Sequence, residues 1–168
     1  MSGEIINRVA KSSVITLDLE DFCPKNEVIE FDIKQFLFEE TILKEKEFRS
    51  NIKNFDFSKY KDSIVCIHCS CDAIIPMWAY MLAVKYLVNS CFKVYYGNKQ
   101  TVITKITLDN IQSSDISIYK NKRVIIKGCG KFSSPEALYI AITKKLINHV
   151  KSLMFGEACS AVPIHKNK

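Results

Sequence analysis

Cysteine carries most of the reactive chemistry in this chain. Seven occur: Cys23, Cys66, Cys69, Cys71, Cys91, Cys129 and Cys159. Three of them fall in the string Cys66-Ile67-His68-Cys69-Ser70-Cys71. The first residues, MSGEIINRVAKSS, lack the apolar core of a secretion signal and carry Glu4, so a cytoplasmic chain is expected. An odd cysteine count there argues against a disulfide framework. Reduced thiols act as core residues, metal ligands or nucleophiles, and the elements that carry them decide which.

Those elements follow from an internal repeat. Residues 56–87 and 115–146 align without a gap at an offset of 59, with ten identical positions. The identities are Asp56/Asp115, Ser58/Ser117, Tyr60/Tyr119, Lys61/Lys120, Val65/Val124, Ile67/Ile126, Pro76/Pro135, Tyr80/Tyr139, Lys85/Lys144 and Leu87/Leu146. Each copy reads as a turn, a strand and a helix. Ser63–His68 and Arg123–Lys127 are apolar, β-branched runs without clean alternation, as strands covered on both faces require. Phe92–Tyr96 and Lys151–Phe155 are two further strand candidates.

Helix signals follow each first strand. Asp72 is placed to cap a helix from about Ile74 to Asn89, with Pro76 in its first turn. Ser133 and Glu136 form a capping-box pattern around Pro135. Residues 100–111 are β-branched, yet a helix is expected there because parallel strands need a crossover. The N-terminal part adds a helix near Gly3–Ala10, an extended pair around Ile15–Leu19 and Val28–Phe31, and a helix near Leu43–Phe55.

The expected fold is α/β: three layers, a mainly parallel sheet with helices on both faces, and an N-terminal α+β extension. It forms a single domain over 1–168, with the extension at 1–55 and the repeated core at 56–168. Ligand sites in such sheets lie beyond the carboxyl ends of the strands. Cys69, Cys129 (in Lys127-Gly128-Cys129-Gly130) and Cys159 each follow a strand there. Cys69 and Cys129 also precede helix N-termini, which favour thiolate.

If the three loops meet, three thiolates with an open position suit zinc, iron or an iron–sulfur cluster. Asp72 and Glu157 are further candidate ligands or orienting groups, and Cys71 and His68 could supply a fourth ligand. If the loops do not meet, these are small packing residues. Cys66 belongs to the core, since it shares a strand face with His68 while Cys69 points away. A zinc knuckle and a thioredoxin-type pair both need a turn or helix start that Cys66 does not have. Cys23 and Cys91 read as structural.

Composition bounds the remaining classes. Apolar residues are 48% and charged residues 25%, which excludes disorder and collagen, and no stretch of 18 apolar residues exists to span a bilayer. Residues 1–55 carry 8 Lys/Arg and 11 Asp/Glu, and residues 56–168 carry 16 and 7. A basic half can bind an acidic protein. Nucleic acid is the less expected partner of that half, because there is one Trp, the arginines Arg8, Arg49 and Arg123 are scattered, and no recognition motif occurs. There is no Gly-x-Gly-x-x-Gly after a strand, no Walker loop and no nucleophile elbow.

Several strings together resemble the domain-of-unknown-function 2480 family of Bacteroidetes-type bacteria over the whole length. They are Glu4–Ala10 with Ile15–Asp21, Cys69-Ser70 with Asp72–Pro76 and Trp78–Tyr80, Lys127–Cys129, and Met154–Glu157 with Cys159-Ser160. The resemblance implies motif cysteines at Cys69, Cys129 and Cys159, with Cys66 and Cys71 as departures. It also implies a neighbourhood of iron–sulfur assembly proteins as partners. Three functions stay open: a metal or cluster site accessory to that assembly, a non-catalytic interaction module that binds an acidic protein or nucleic acid through the basic half, and a thiol enzyme with Cys129 or Cys159 as nucleophile.

Overall fold

A computed structural model of the chain describes residues 14–127, 132, 134–157 and 159–167. In chain order the elements are β1 (Val14–Leu17), β2 (Val28–Asp32), α1 (Glu45–Lys53), β3 (Ile64–His68), α2 (Met77–Leu87), β4 (Lys93–Tyr96), α3 (Lys99–Ser113), β5 (Arg123–Ile126), α4 (Pro135–Leu146), β6 (Ser152–Phe155) and β7 (Val162–Lys166). Short 3-10 turns follow β1 and β2 and precede β3 and β5. Among the described residues no helix is long and apolar enough to cross a membrane.

The α/β class and the parallel pairing hold, but the strands divide between two sheets instead of forming one. One sheet has the order β1-β5-β6-β7 and the other β2-β3-β4. Among the described strands every pairing is parallel except β6 with β7. The chain correspondingly divides into two compact units, 24–103 in one and 1–23 with 104–168 in the other.

The expected N-terminal extended pair does not pair with itself. β1 joins β5, and β2 joins β3. Leu17 and Phe31 are fully buried, so these short apolar strands need sheet partners and cover on a face. The helix expected at Gly3–Ala10 lies outside the described residues.

Each unit repeats one plan. β1 meets β5 starting at Val14 opposite Arg123, and β2 meets β3 starting at Val28 opposite Ile64. Asp18 and Asp32 end these edge strands, and each accepts the N–H two residues on, from Glu20 and Lys34, at 2.9 Å. Asp56 and Asp115 do the same for Ser58 and Ser117, at 2.9 and 2.8 Å. Tyr80 meets Tyr96 edge-on at 5.7 Å, and Tyr139 meets Phe155 edge-on at 5.3 Å. The sequence repeat is thus a structural duplication, and it includes edge strands that show no constant offset of 59.

Helix starts differ in detail from expectation. α2 begins at Met77 with Pro76 as its N-cap, and no side chain caps it. Asp72 is exposed and lies too far upstream, because the chain stays extended into the proline. α4 takes Pro135 in its first turn with Ser134 as an N-cap that makes no side-chain bond. The capping serine expected at Ser133 lies outside the described residues. α3 is the expected crossover helix, capped by Asn98, whose Oδ1 accepts the Thr101 N–H at 2.9 Å.

The core of the 24–103 unit is aromatic. Phe31 is ringed by Phe36, Phe55, Phe57 and Tyr60 at centroid distances of 5.6, 5.7, 6.1 and 5.7 Å. Phe48 and Ile52, one turn apart on α1, bury fully beside them. From β3, Val65 and Ile67 enter the same core, with Ala79, Ala83 and Leu87 of α2. Large rings fill this volume, and the loops at the carboxyl edge of the sheet are carried on it.

Candidate functional site

The carboxyl edge of β2 and β3 assembles the candidate site. β3 ends at His68, and Cys69, Ser70 and Cys71 form the loop that follows. The Cys69 and Cys71 sulfurs lie 3.4 Å apart, and both residues are partly exposed free cysteines. Asp32, opposite His68 in the β2–β3 register, reaches this loop: its Oδ1 accepts the Ser70 N–H at 3.1 Å and the Lys34 N–H at 2.9 Å. The residue between the two cysteines is therefore tied to the neighbouring strand. This restraint helps hold the two sulfurs on one short arc.

Charge around the pair is mixed. Partial burial of Asp32 works to raise its carboxyl, but the bonds from Ser70 and Lys34 and the nearby His68 outweigh it and hold the carboxyl below its usual range. Partial burial, and the Cys69 sulfur beside it, push the Cys71 thiol up, while the Lys34 charge opposes that. Lys34 itself is paired with Glu40 at 2.9 Å. His68 Nε2 lies 3.6 Å from the Glu30 carboxylate, which also accepts the Lys99 N–H at 2.9 Å.

Cys129 lies outside the described residues. Cys159 is exposed, past β6 in the other unit, with its sulfur 4.0 Å from the Ser160 hydroxyl. Glu157 is exposed, and its carbonyl accepts the Ser160 N–H at 2.9 Å. Asp72 is exposed directly after the cysteine pair. Lys127 stands 3.8 Å from Asp18. Among the described residues, no group of three or more His, Cys, Asp or Glu is arranged to hold a metal ion.

Two cysteines, Cys66 and Cys91, behave as packing residues. Cys66 is fully buried, and burial, with Glu30 adding to it, pushes its thiol up to about 11. Cys91 donates to the Lys93 carbonyl at 3.6 Å. Cys23 closes the 3-10 turn after β1.

Sequence reasoning did not single out Asp32. One signal was available: Val14-Ile15-Thr16-Leu17-Asp18 and Val28-Ile29-Glu30-Phe31-Asp32 share a pattern of apolar strand followed by capping Asp. It was missed because the second repeat lies 14 residues from the first, against 59 for the main repeat.

Fold and site together define an internally duplicated α/β protein with a dithiol at the carboxyl edge of one parallel sheet. A family model described as protein of unknown function, DUF2480, matches residues 3–167. The chain belongs to that family. No curated protein and no solved structure matched it.

Proposed function

We propose that the chain handles a thiophilic metal ion, zinc or iron, through an open two-cysteine site made by Cys69 and Cys71. The observation that supports this is their sulfur separation of 3.4 Å. Thiolates about 2.3 Å from a tetrahedral zinc ion lie roughly 3.8 Å from each other, so the pair needs to part by only about 0.4 Å. Two sulfurs from one loop leave coordination positions for water or an incoming ligand. An open site of this kind suits transfer more than permanent structure. It fits the accessory role in metal or iron–sulfur assembly that the sequence reading raised.

The test is anaerobic cobalt titration of the metal-free protein, followed by thiolate-to-metal charge-transfer absorption. Wild type is expected to develop the band, and Cys69→Ser and Cys71→Ser each to lose it. Cys23→Ser and Cys91→Ser are expected to keep it. A double Cys69→Ser/Cys71→Ser protein that still shows the full band would overturn the proposal. Parallel titrations of Cys129→Ser and Cys159→Ser show whether those sulfurs contribute.

A further inference from the structure

We propose that Cys69 and Cys71 also form a reversible redox pair, passing between a dithiol and a Cys69–Cys71 disulfide by exchange with small-molecule disulfides such as glutathione disulfide. The inference uses the pair on which the proposed metal site rests and adds a switch to it. The thiol chemistry itself requires no metal. Three observations carry it. The sulfurs are already 3.4 Å apart, inside the distance two unbonded sulfurs usually keep. Both residues are partly exposed, so a small disulfide can reach them. The backbone between them is anchored at Ser70 by the Asp32 carboxylate, so closing the ring requires little search of loop conformations.

The step balances without any further reactant. One cysteine thiolate attacks a sulfur of the small disulfide, forming a mixed disulfide and releasing one small thiolate. The second cysteine gives its proton to solvent, and its sulfur attacks the first. This forms the Cys69–Cys71 bond and expels the second small thiolate. The protein loses two electrons and two protons, and the small disulfide becomes two thiols. A disulfide closed across one intervening residue is strained, which places it among readily reduced, labile disulfides and not among structural ones. Closing it removes both sulfurs from metal binding.

Cys66 is the competing partner by sequence. It is fully buried in β3, so an incoming disulfide cannot reach it.

The experiment equilibrates metal-free protein, in chelator, with defined ratios of reduced and oxidised glutathione. Acid quenching, alkylation and peptide mass analysis follow. Wild type is expected to lose two alkylatable thiols, with the peptide carrying Cys69 and Cys71 lighter by about 2 Da and no glutathione attached. A dithiol reductant is expected to restore both thiols. Cys69→Ser and Cys71→Ser are each expected to trap glutathione on the remaining cysteine, because no second sulfur can displace it. A wild type that holds mixed disulfide as fully as the single variants would overturn the proposal. So would a disulfide to any other cysteine. Because metal is absent throughout, failure of the cobalt titration leaves this result intact, and the reverse also holds.

Discussion

The Asp32 carboxylate accepts the Ser70 N–H at 3.1 Å, linking the end of β2 to the loop that carries Cys69 and Cys71. The same oxygen accepts the Lys34 N–H, so one charge both caps the turn after β2 and anchors the cysteine loop. Strand pairing places this group: β2 and β3 run parallel with Asp32 opposite His68. Asp32→Ala is expected to lower stability by about 1–3 kcal/mol, because two N–H donors lose a charged acceptor. It is also expected to reduce the fraction of Cys69–Cys71 disulfide at a fixed glutathione ratio. Asp32→Asn keeps an acceptor oxygen and is expected to fall between. Urea midpoints and thiol mass analysis check both effects; an unchanged disulfide fraction in Asp32→Ala would remove the positioning role.

Acid stability depends on three turn aspartates. The carboxyl of Asp56 is lowered by bonds from Ser58, and that of Asp115 by bonds from Ser117. That of Asp32 is lowered against its own burial. All three sit below 3.8 in the folded chain. The unfolded chain therefore binds protons first as pH drops. Their stabilisation is complete above about pH 4–5 and is lost as pH falls through the lowered values. The Asp56→Asn/Asp115→Asn protein is expected to lose stability less steeply below pH 4. Parallel curves for it and the wild type, from urea unfolding at each pH, would refute this.

Alkaline stability depends on Cys66. Its thiol is raised from 9.0 to about 11, chiefly by burial. The contribution is whole below about pH 9 and disappears as pH rises toward 11, by roughly 3 kcal/mol in total. Cys66→Val keeps an apolar side chain in β3 and is expected to flatten this part of the curve. The quantity to read is the difference between wild type and variant, since lysines titrate in the same range.

Gly97 and Gly156 close the duplicated units in the same way. Their φ angles are +128° and +112°, and each donates its N–H at 3.0 Å to the central strand, to Ile67 and Ile126. An added Cβ would find ordinary contacts of 3.6 Å at the nearest, so the obstacle is the backbone angle and not space. Gly97→Ala and Gly156→Ala are each expected to cost about 1–3 kcal/mol. Thermal unfolding of the two variants checks this, and a neutral result at either position would contradict the strain argument.

Lys145 of α4 caps the end of α3. Its ammonium donates to the carbonyls of Ile111, Gln112 and Ser114 at 2.7, 2.6 and 2.6 Å. Three carbonyls at the end of α3 thus meet one partly buried cation, and that of Ile111 also accepts the Ser114 hydroxyl at 2.7 Å. Lys145→Met keeps the stem and removes the charge, and is expected to cost about 1–3 kcal/mol. Faster amide exchange at the end of α3 is expected with it. Protection equal to wild type would show that water replaces the ammonium at little cost.

Local elements were legible because their signals are local. Apolar β-branched runs marked β3 and β5, and the further candidates at Phe92–Tyr96 and Lys151–Phe155 matched β4 and β6, all to within a residue or two, while the crossover requirement located α3. The repeat at offset 59 foretold matching strands and helices, and the full burial of Cys66 followed from its place in β3. β7 carried too little pattern to be read, with a proline at its second position and mostly exposed residues.

Sequence alone therefore determined the class, the duplicated strand–helix plan and the carboxyl-edge position of Cys69. Those properties depend on residue type and spacing within short windows. Tertiary structure decided which strand lies beside which, since hydrogen-bond partners in a parallel sheet come from distant segments and leave no periodic mark. It joined β1 to β5 and β2 to β3, split the strands into two sheets, and brought Asp32 to the loop of Cys69 and Cys71. The sulfur separation that supports both proposals is a property of that loop's conformation, which the spacing of two cysteines does not specify.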